Sequence, residues 1–220
     1  MISKRLVIFD MDGTLVDSED FIVWSFMEVA KEMGLSISPR VVRECIGLPL
    51  DYVVERILPD VPVDIVERFI ARRREIVSKY WRGMVTLFPD VKPALSYLKN
   101  NGFLLAVASS SVKSRIIEFL GYLGILDYFD YVSGVEEGVR GKPYPDVISR
   151  VLNMLGVAPG EAVYVGDRLV DCIAASSAGV DFILVSRGGF NDTNDKCNLI
   201  RVIKDLGELS TILSPPKSMG

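Results

Sequence analysis

The sequence predicts a doubly wound α/β core interrupted by an all-helical insertion. Three observations support this: five short apolar runs spread along the chain, helical periodicity between them, and one long interval with helical spacing throughout. The first run, residues 5–9 (RLVIF), is followed at 103–108 by FLLAVA, at 131–133 by YVS, at 162–165 by AVYV and at 182–185 by FILV. Such runs lack the alternation of strands with one wet side, so they read as parallel strands buried on both faces. Stretches at 92–100, 113–123, 145–155 and 171–178 supply the intervening helices, and 203–213 predicts a terminal one.

Residues 17–84 break the rhythm. VWSFMEVAKEM, RVVRECI, LDYVVERIL and VDIVERFIARRREIVSKYW all carry helical spacing with no strand between them. Pro39 and Pro62 fall where helices would begin, and Gly34, Gly47 and Gly83 fall where the chain would turn. The predicted organisation is a core of residues 1–16 and 85–220 with a helical cap over 17–84. The tail SPPKSMG continues neither helix nor sheet and is expected to fray.

Composition narrows the chemistry. The chain has 220 residues, a formal net charge of -4, and 49% hydrophobic and 25% charged residues, an ordinary globular balance. With no general positive field, nucleic acid and anionic membrane are poor partners, and the N-terminal apolar run is too short for a signal segment or a span. Cys45, Cys172 and Cys197 are odd in number and lack CxxC spacing, so reduced thiols acting as small buried hydrophobes and a cytoplasmic location are expected. There is no histidine, which removes Ser-His and Cys-His nucleophile pairs and imidazole-bound zinc.

Ligands of a doubly wound sheet gather at the carboxyl ends of its strands, and here those ends are polar. The first run ends in Asp10-Met11-Asp12-Gly13-Thr14, the second in Ser109-Ser110-Ser111, and the fourth in Gly166-Asp167 with Asp171 four residues on; Lys142 lies in GKPYPD after the third. Carboxylates converging on one sheet edge repel unless a cation lies among them, and Mg2+, an oxygen-seeking ion that keeps several waters, suits such a set. Of Asp10 and Asp12, one is placed to attack phosphorus and the other to move protons, while Ser109 and Lys142 hold phosphoryl oxygens and Ser110 offers a backbone N–H.

FDMDGTLVDSE, VASSS, GKPYPD and VGDRLVD together resemble, in order and across almost the whole chain, the four motifs of the haloacid dehalogenase superfamily. The resemblance implies a Rossmann-like core and a type 1 cap. It implies Asp10 as nucleophile and metal ligand, Asp12 as general acid/base and ligand through its carbonyl, Ser109 and Lys142 as phosphate grips, and Asp167 as a Mg2+ ligand. Asp171 would support the metal directly or through water. A carboxylate at position 12 favours phosphate esters over dehalogenation. Ile46 and Leu48 around Gly47 look more like phosphoglycolate-type phosphatases than like mutases of the beta-phosphoglucomutase branch.

The expected activity is therefore hydrolysis of a small phosphorylated metabolite, phosphoglycolate or a sugar phosphate, through an aspartyl-phosphate. A phosphomutase is the runner-up, and a non-catalytic metal- or phosphate-binding module is the reading from another class. Glu19 either faces the cleft or serves its helix dipole, and Gly47 belongs to the cap loop over the site. Arg72, Arg73 and Arg74 read as a solvated helix face in preference to a substrate contact. Monomer and homodimer are both open.

Overall fold

The computed structural model describes residues 2–187 and 197–214. Its centre is a six-stranded, wholly parallel sheet formed by Leu6–Phe9, Leu104–Val112, Tyr131–Val135, Ala162–Gly166, Asp181–Val185 and Leu199–Ile203. Counting the short pairs Ile2–Ser3 (β1) with Leu213–Ser214 (β10) and Val16–Asp17 (β3) with Thr86–Leu87 (β4), these six are β2, β5, β6, β7, β8 and β9. The order across the sheet is β6-β5-β2-β7-β8-β9. From β2 the chain builds outward to β5 and β6, then returns to lay β7 on the other side of β2, so the order reverses beside β2 and opens a crevice at its carboxyl end.

Every residue of β2 is buried because its two faces meet two separate apolar layers. Val7 and Phe9 point into one, with Leu95 and Leu98 from Val91–Asn100 (α5) and Ile116 and Leu120 from Lys113–Tyr122 (α6). Leu6 and Ile8 point into the other, with Val147 and Val151 from Asp146–Leu155 (α7) and Ala174 and Ala175 from Leu169–Ser177 (α8). Each fully buried large aliphatic side chain contributes about 1.5–3 kcal/mol, and this double burial produces the unbroken apolar runs of the sequence.

Between β3 and β4 lie Glu19–Glu32 (α1), Pro39–Glu44 (α2), Leu50–Ile57 (α3) and Val63–Tyr80 (α4). They close on an apolar cluster of their own that includes Phe26, Val29, Val42, Val54, Phe69 and Ile76, with Phe26 stacked on Phe69. Pro39 opens α2 and Pro62 precedes α4, as their fixed φ favours. The chain leaves and re-enters the core through the antiparallel pairs Val16↔Leu87 and Asp17↔Thr86.

Three expectations need correction. The sheet has a sixth strand, β9, which the apolar-run criterion passes over because it is an edge strand with Arg201 and Val202 exposed. The terminal helix shrinks to a 3-10 turn, Leu206–Glu208, and one α turn, Leu209–Ile212 (α9), before the chain extends into β10. Cys172 and Cys197 are not separate thiols: they form a disulfide across 25 residues. The fold brings them together as Asn198 donates its N–H to Ser176 Oγ on α8 and accepts from Phe182 N on β8, a proximity that sequence spacing does not encode. The disulfide also withdraws the thiol argument for a reducing compartment. Cys45 is free and buried, as expected. Residues 215–220 of the proline-containing tail lie outside the described residues. No described helix is long and apolar enough to cross a membrane.

Candidate active site

Asp10 follows β2 directly, and its backbone N–H still pairs with Val165 O at 2.9 Å, so the carboxylate stands at the crevice at the end of a strand paired on both sides. A tight loop follows, closed by Leu15 and Val16 N–H groups donating to Met11 O and by Gly13 N–H donating to Val16 O. Gly13 has φ +80°, and a Cβ there would overlap the Asp167 carboxylate. Only glycine both adopts that backbone and lets the first and fourth motifs touch. Asp12 lies one pleat beyond Asp10, and its Oδ1 accepts a 2.6 Å hydrogen bond from Ser18 Oγ.

Lys142 is completely buried, an unusual position for an ammonium. Its Nζ lies 2.6 Å from Asp10 Oδ1 and 2.5 Å from Asp171 Oδ1. Tyr164, whose hydroxyl donates to Ala108 O at 2.6 Å, is the third neighbour, its oxygen 3.4 Å from Nζ. The lysine's own N–H donates to Ser110 Oγ at 3.0 Å, which fixes the loop from which it is aimed. Asp171 is the third residue of α8, and its Oδ2 accepts from Arg168 N at 3.0 Å while Oδ1 faces Lys142. It thus caps its helix and receives the lysine at the same time.

Carboxylate oxygens of Asp10, Asp167 and Asp171 lie within 4.8 Å of one another, and all three residues are buried. Burial pushes the Asp10 carboxyl well above its ordinary 3.8; Lys142 opposes this, and Asp171 and Asp167 add to it. Asp167 is raised to about 7 by burial and by Asp171, against Arg168, Lys142 and the Thr14 hydroxyl. For Lys142 burial acts downward, but Asp10 and Asp171 outweigh it and hold the ammonium well above its usual range. One buried ammonium therefore does not neutralise the cluster. Asp10 Oδ1 has no well-aligned hydrogen-bond donor despite the nearby ammonium. The donors are all oxygen, which is the set a hard cation takes.

In β5, where its pairing with β6 turns irregular after Ala108, Ser109 is 2% exposed and its Oγ accepts from Ser111 N at 3.2 Å. Ser109, Ser110 and Ser111 line one cavity of about 190 Å³ together with Asp10 and Asp12. The insertion forms the opposite wall through Phe26, Ile46, Gly47, Leu48, Val53 and Arg73. Gly47, at φ +93°, lets this loop pass over α8, where a Cβ would sit 3.1 Å from Val170 Cγ1. Glu19 does not line the cavity: its carboxylate receives Arg168 Nη2 at 2.8 Å and Arg43 Nε at 3.0 Å.

Several contributors escape the sequence reading. Arg168, next to Asp167, reaches across to Glu19 and to Arg43 O at 2.9 Å and so joins the fourth motif to the insertion. Thr14 Oγ1 donates to Asp167 Oδ1 at 3.2 Å. The Arg72–Arg74 run divides: Arg72 is half-buried and paired with Glu32 and Glu75, Arg73 is buried and turned into the cavity, and Arg74 is exposed but also lines the cavity. Three consecutive helical residues point about 100° apart, so one reading for all three could not hold.

The family model for haloacid dehalogenase-like hydrolases matches residues 7–185. This chain belongs to that family. Among known proteins it is 35% identical over 192 residues to "Probable phosphatase IndB" of Dickeya dadantii, covering 84% of this chain and 82% of that one. It is 32% identical over 189 residues to the phosphoglycolate phosphatase of Yersinia pseudotuberculosis, again covering 84% and 82%. A haloacid dehalogenase-like family hydrolase of Streptococcus pneumoniae shares the fold at a TM-score of 0.83 and 24% identity, over 95% of this chain and 98% of that chain.

Proposed function

We propose that this haloacid dehalogenase-like hydrolase is a Mg2+-dependent phosphatase of small phosphate monoesters, of the phosphoglycolate or sugar phosphate type, working through an aspartyl-phosphate on Asp10. The observation that carries the reading is the buried cluster in which Asp10, at the end of the central strand, lies together with Asp167, Asp171 and the fully buried Lys142. The phosphatases among its relatives support the reaction class.

Asp10 and Asp167 would hold the ion through their carboxylates and Asp12 through its carbonyl, with Asp171 supporting them through its contacts to Lys142 and Arg168 N. When bound, the ion would offset charge on the carboxylates and on the phosphoryl oxygens. Asp10, ionised, attacks phosphorus in line with the leaving oxygen. Lys142 and Ser109 oppose the charge that spreads over the remaining oxygens. Asp12 gives its proton to the departing alkoxide, then takes one from the water that attacks the aspartyl-phosphate, and inorganic phosphate leaves as Asp10 is restored. Ser18 Oγ, bonded to Asp12 Oδ1, sets the direction from which Asp12 exchanges that proton. The apolar wall from the insertion keeps bulk water from the acyl phosphate.

The test is a phosphate-release screen over small phosphorylated metabolites, with Mg2+ and with chelator, on wild type and Asp10→Asn. Release that needs Mg2+ and disappears in the variant is expected. Turnover retained by Asp10→Asn would refute the proposal.

A further inference from the structure

The cavity has two electrostatically different ends. At the sheet edge stand Asp10 and Asp12; the cavity is also lined by three arginines that the chemistry above does not use, the exposed Arg74 and the more enclosed Arg73 and Arg115. Arg73 comes from α4 and is only 7% exposed. Its Nε donates to Ser25 Oγ at 3.1 Å and its guanidinium lies 3.9 Å above the Phe26 ring, yet no carboxylate among the described residues lies within ion-pair distance. Arg115 comes from α6 in the core, is half-buried, and forms neither an ion pair nor a hydrogen bond with any described residue. Both line the same cavity as Asp10, Asp12 and Ser109. Burial first and then Arg115 lower the Arg73 guanidinium to about 9, against Asp12; burial lowers Arg115 too, with Arg74 adding to it and Asp12 and Glu118 opposing.

Removing a guanidinium from water without an anion is costly, and placing a second beside it adds repulsion, so the pair is a standing cost to the folded protein unless something negative enters. Of the acids lining the cavity, Asp12 favours the charge on both arginines, but its Oδ1 is engaged by Ser18 and it forms an ion pair with neither. Other arginines of the insertion look different: Arg40 is paired with Glu44, and Arg72 with Glu32 and Glu75. The insertion also contributes Phe26, Val53 and Val77, whose apolar side chains offer no hydrogen bonds to the hydroxyls of a sugar.

Resting on the phosphatase reading for the other end of the cavity, we propose that Arg73 and Arg115 form a subsite for a second acidic group of the substrate. Preferred substrates are then small phosphate monoesters that carry another acid a few atoms from phosphorus, and neutral sugar phosphates are disfavoured. One arginine comes from the insertion and the other from the core, so the second acid would also bridge the two walls of the cavity. Arg73 and Arg115 are specificity-determining residues in this account, remote from the reacting atoms.

The probes are 2-phosphoglycolate and ethyl phosphate, alike in size but differing in the carboxylate. Wild type should favour 2-phosphoglycolate in kcat/KM, and Arg73→Gln or Arg115→Gln should each cut that ratio on the order of tenfold to a hundredfold, mainly through KM. Arg73→Lys should restore part of the ratio, and melting curves establish that each variant is folded. Calorimetric binding of both probes to Asp10→Asn gives the same comparison without turnover, so a failed hydrolase reading and a failed subsite give different results. Equal binding of the two probes by wild type and Asp10→Asn, or a ratio unmoved in the folded Gln variants, would overturn the proposal.

Discussion

Replacing Lys142 with Met removes a fully buried charge while keeping most of its stem, and so isolates the electrostatic work of the residue. The ammonium lies 2.6 Å from Asp10 and 2.5 Å from Asp171, and both partners are inaccessible to water. Removing one partner of a buried ion pair costs about 3–5 kcal/mol, because the partner left behind stays charged and dry. At 2–4 °C per kcal/mol for a chain of this size, the melting temperature should fall by roughly 6–20 °C at pH 8. The loss should shrink at pH 5. Without the lysine the clustered carboxyls are pushed further upward, and a carboxyl raised in the folded state stays protonated at pH 5, where it has little charge left to strand. Thermal denaturation followed by circular dichroism at pH 5 and 8 reads both numbers. A shift under about 2 °C at both pH values would show that Lys142 does not hold the cluster together, and would refute the reasoning.

The Asp167 carboxyl keeps its proton to about pH 7 when folded, against an ordinary value of 3.8. Between those values the unfolded chain binds fewer protons, so metal-free stability should fall as pH climbs from about 4 to 7, by on the order of 4 kcal/mol, and level off above. Denaturant titrations in chelator check this, and added Mg2+ should stabilise more at pH 8 than at pH 5. Gly13→Ala should lose most activity and more than about 1 kcal/mol of stability, since the new methyl both occupies positive φ and overlaps Asp167, a result readable by urea unfolding. Reducing the Cys172–Cys197 disulfide frees a loop closed across 25 residues and should cost about 2–4 kcal/mol. A Cys172→Ser protein should then melt at the same temperature with and without dithiothreitol. Arg168→Met breaks the link to Glu19 and Arg43 O, so limited proteolysis should cut faster between α1 and α4 than in wild type.

The legible part of this protein follows from burial on both faces of the sheet. Strands β2, β5 and β7 cannot tolerate polar residues until they reach the crevice, so the change from Phe9 to Asp10 and from Gly166 to Asp167 marks both strand end and site, and that from Ala108 to Ser109 marks where the regular pairing of β5 with β6 stops. Lys142 was legible for another reason, a lysine held in a stiff GKP turn. Edge strand β9 has no such double burial, and its exposed Arg201 and Val202 erase the signal. The disulfide depends on how the chain returns from β8 to β9, which no local pattern records. Arg73 depends on which of three neighbouring helix positions faces inward, a rotation of α4 fixed only when Phe26 and Phe69 pack. Glu19 was visible as a first-turn acid, but its partner Arg168 lies 149 residues away.

The central claim is that Asp10 carries the phosphoryl group. Acid-quenching the enzyme during turnover with Mg2+, reducing it with borohydride and mapping its peptides tests this directly, because an acyl phosphate is reduced at its carbonyl carbon and a free carboxylate is not. The account predicts homoserine at position 10 only in samples quenched with substrate and Mg2+ present. An intact aspartate at position 10 in enzyme that is visibly releasing phosphate would contradict it.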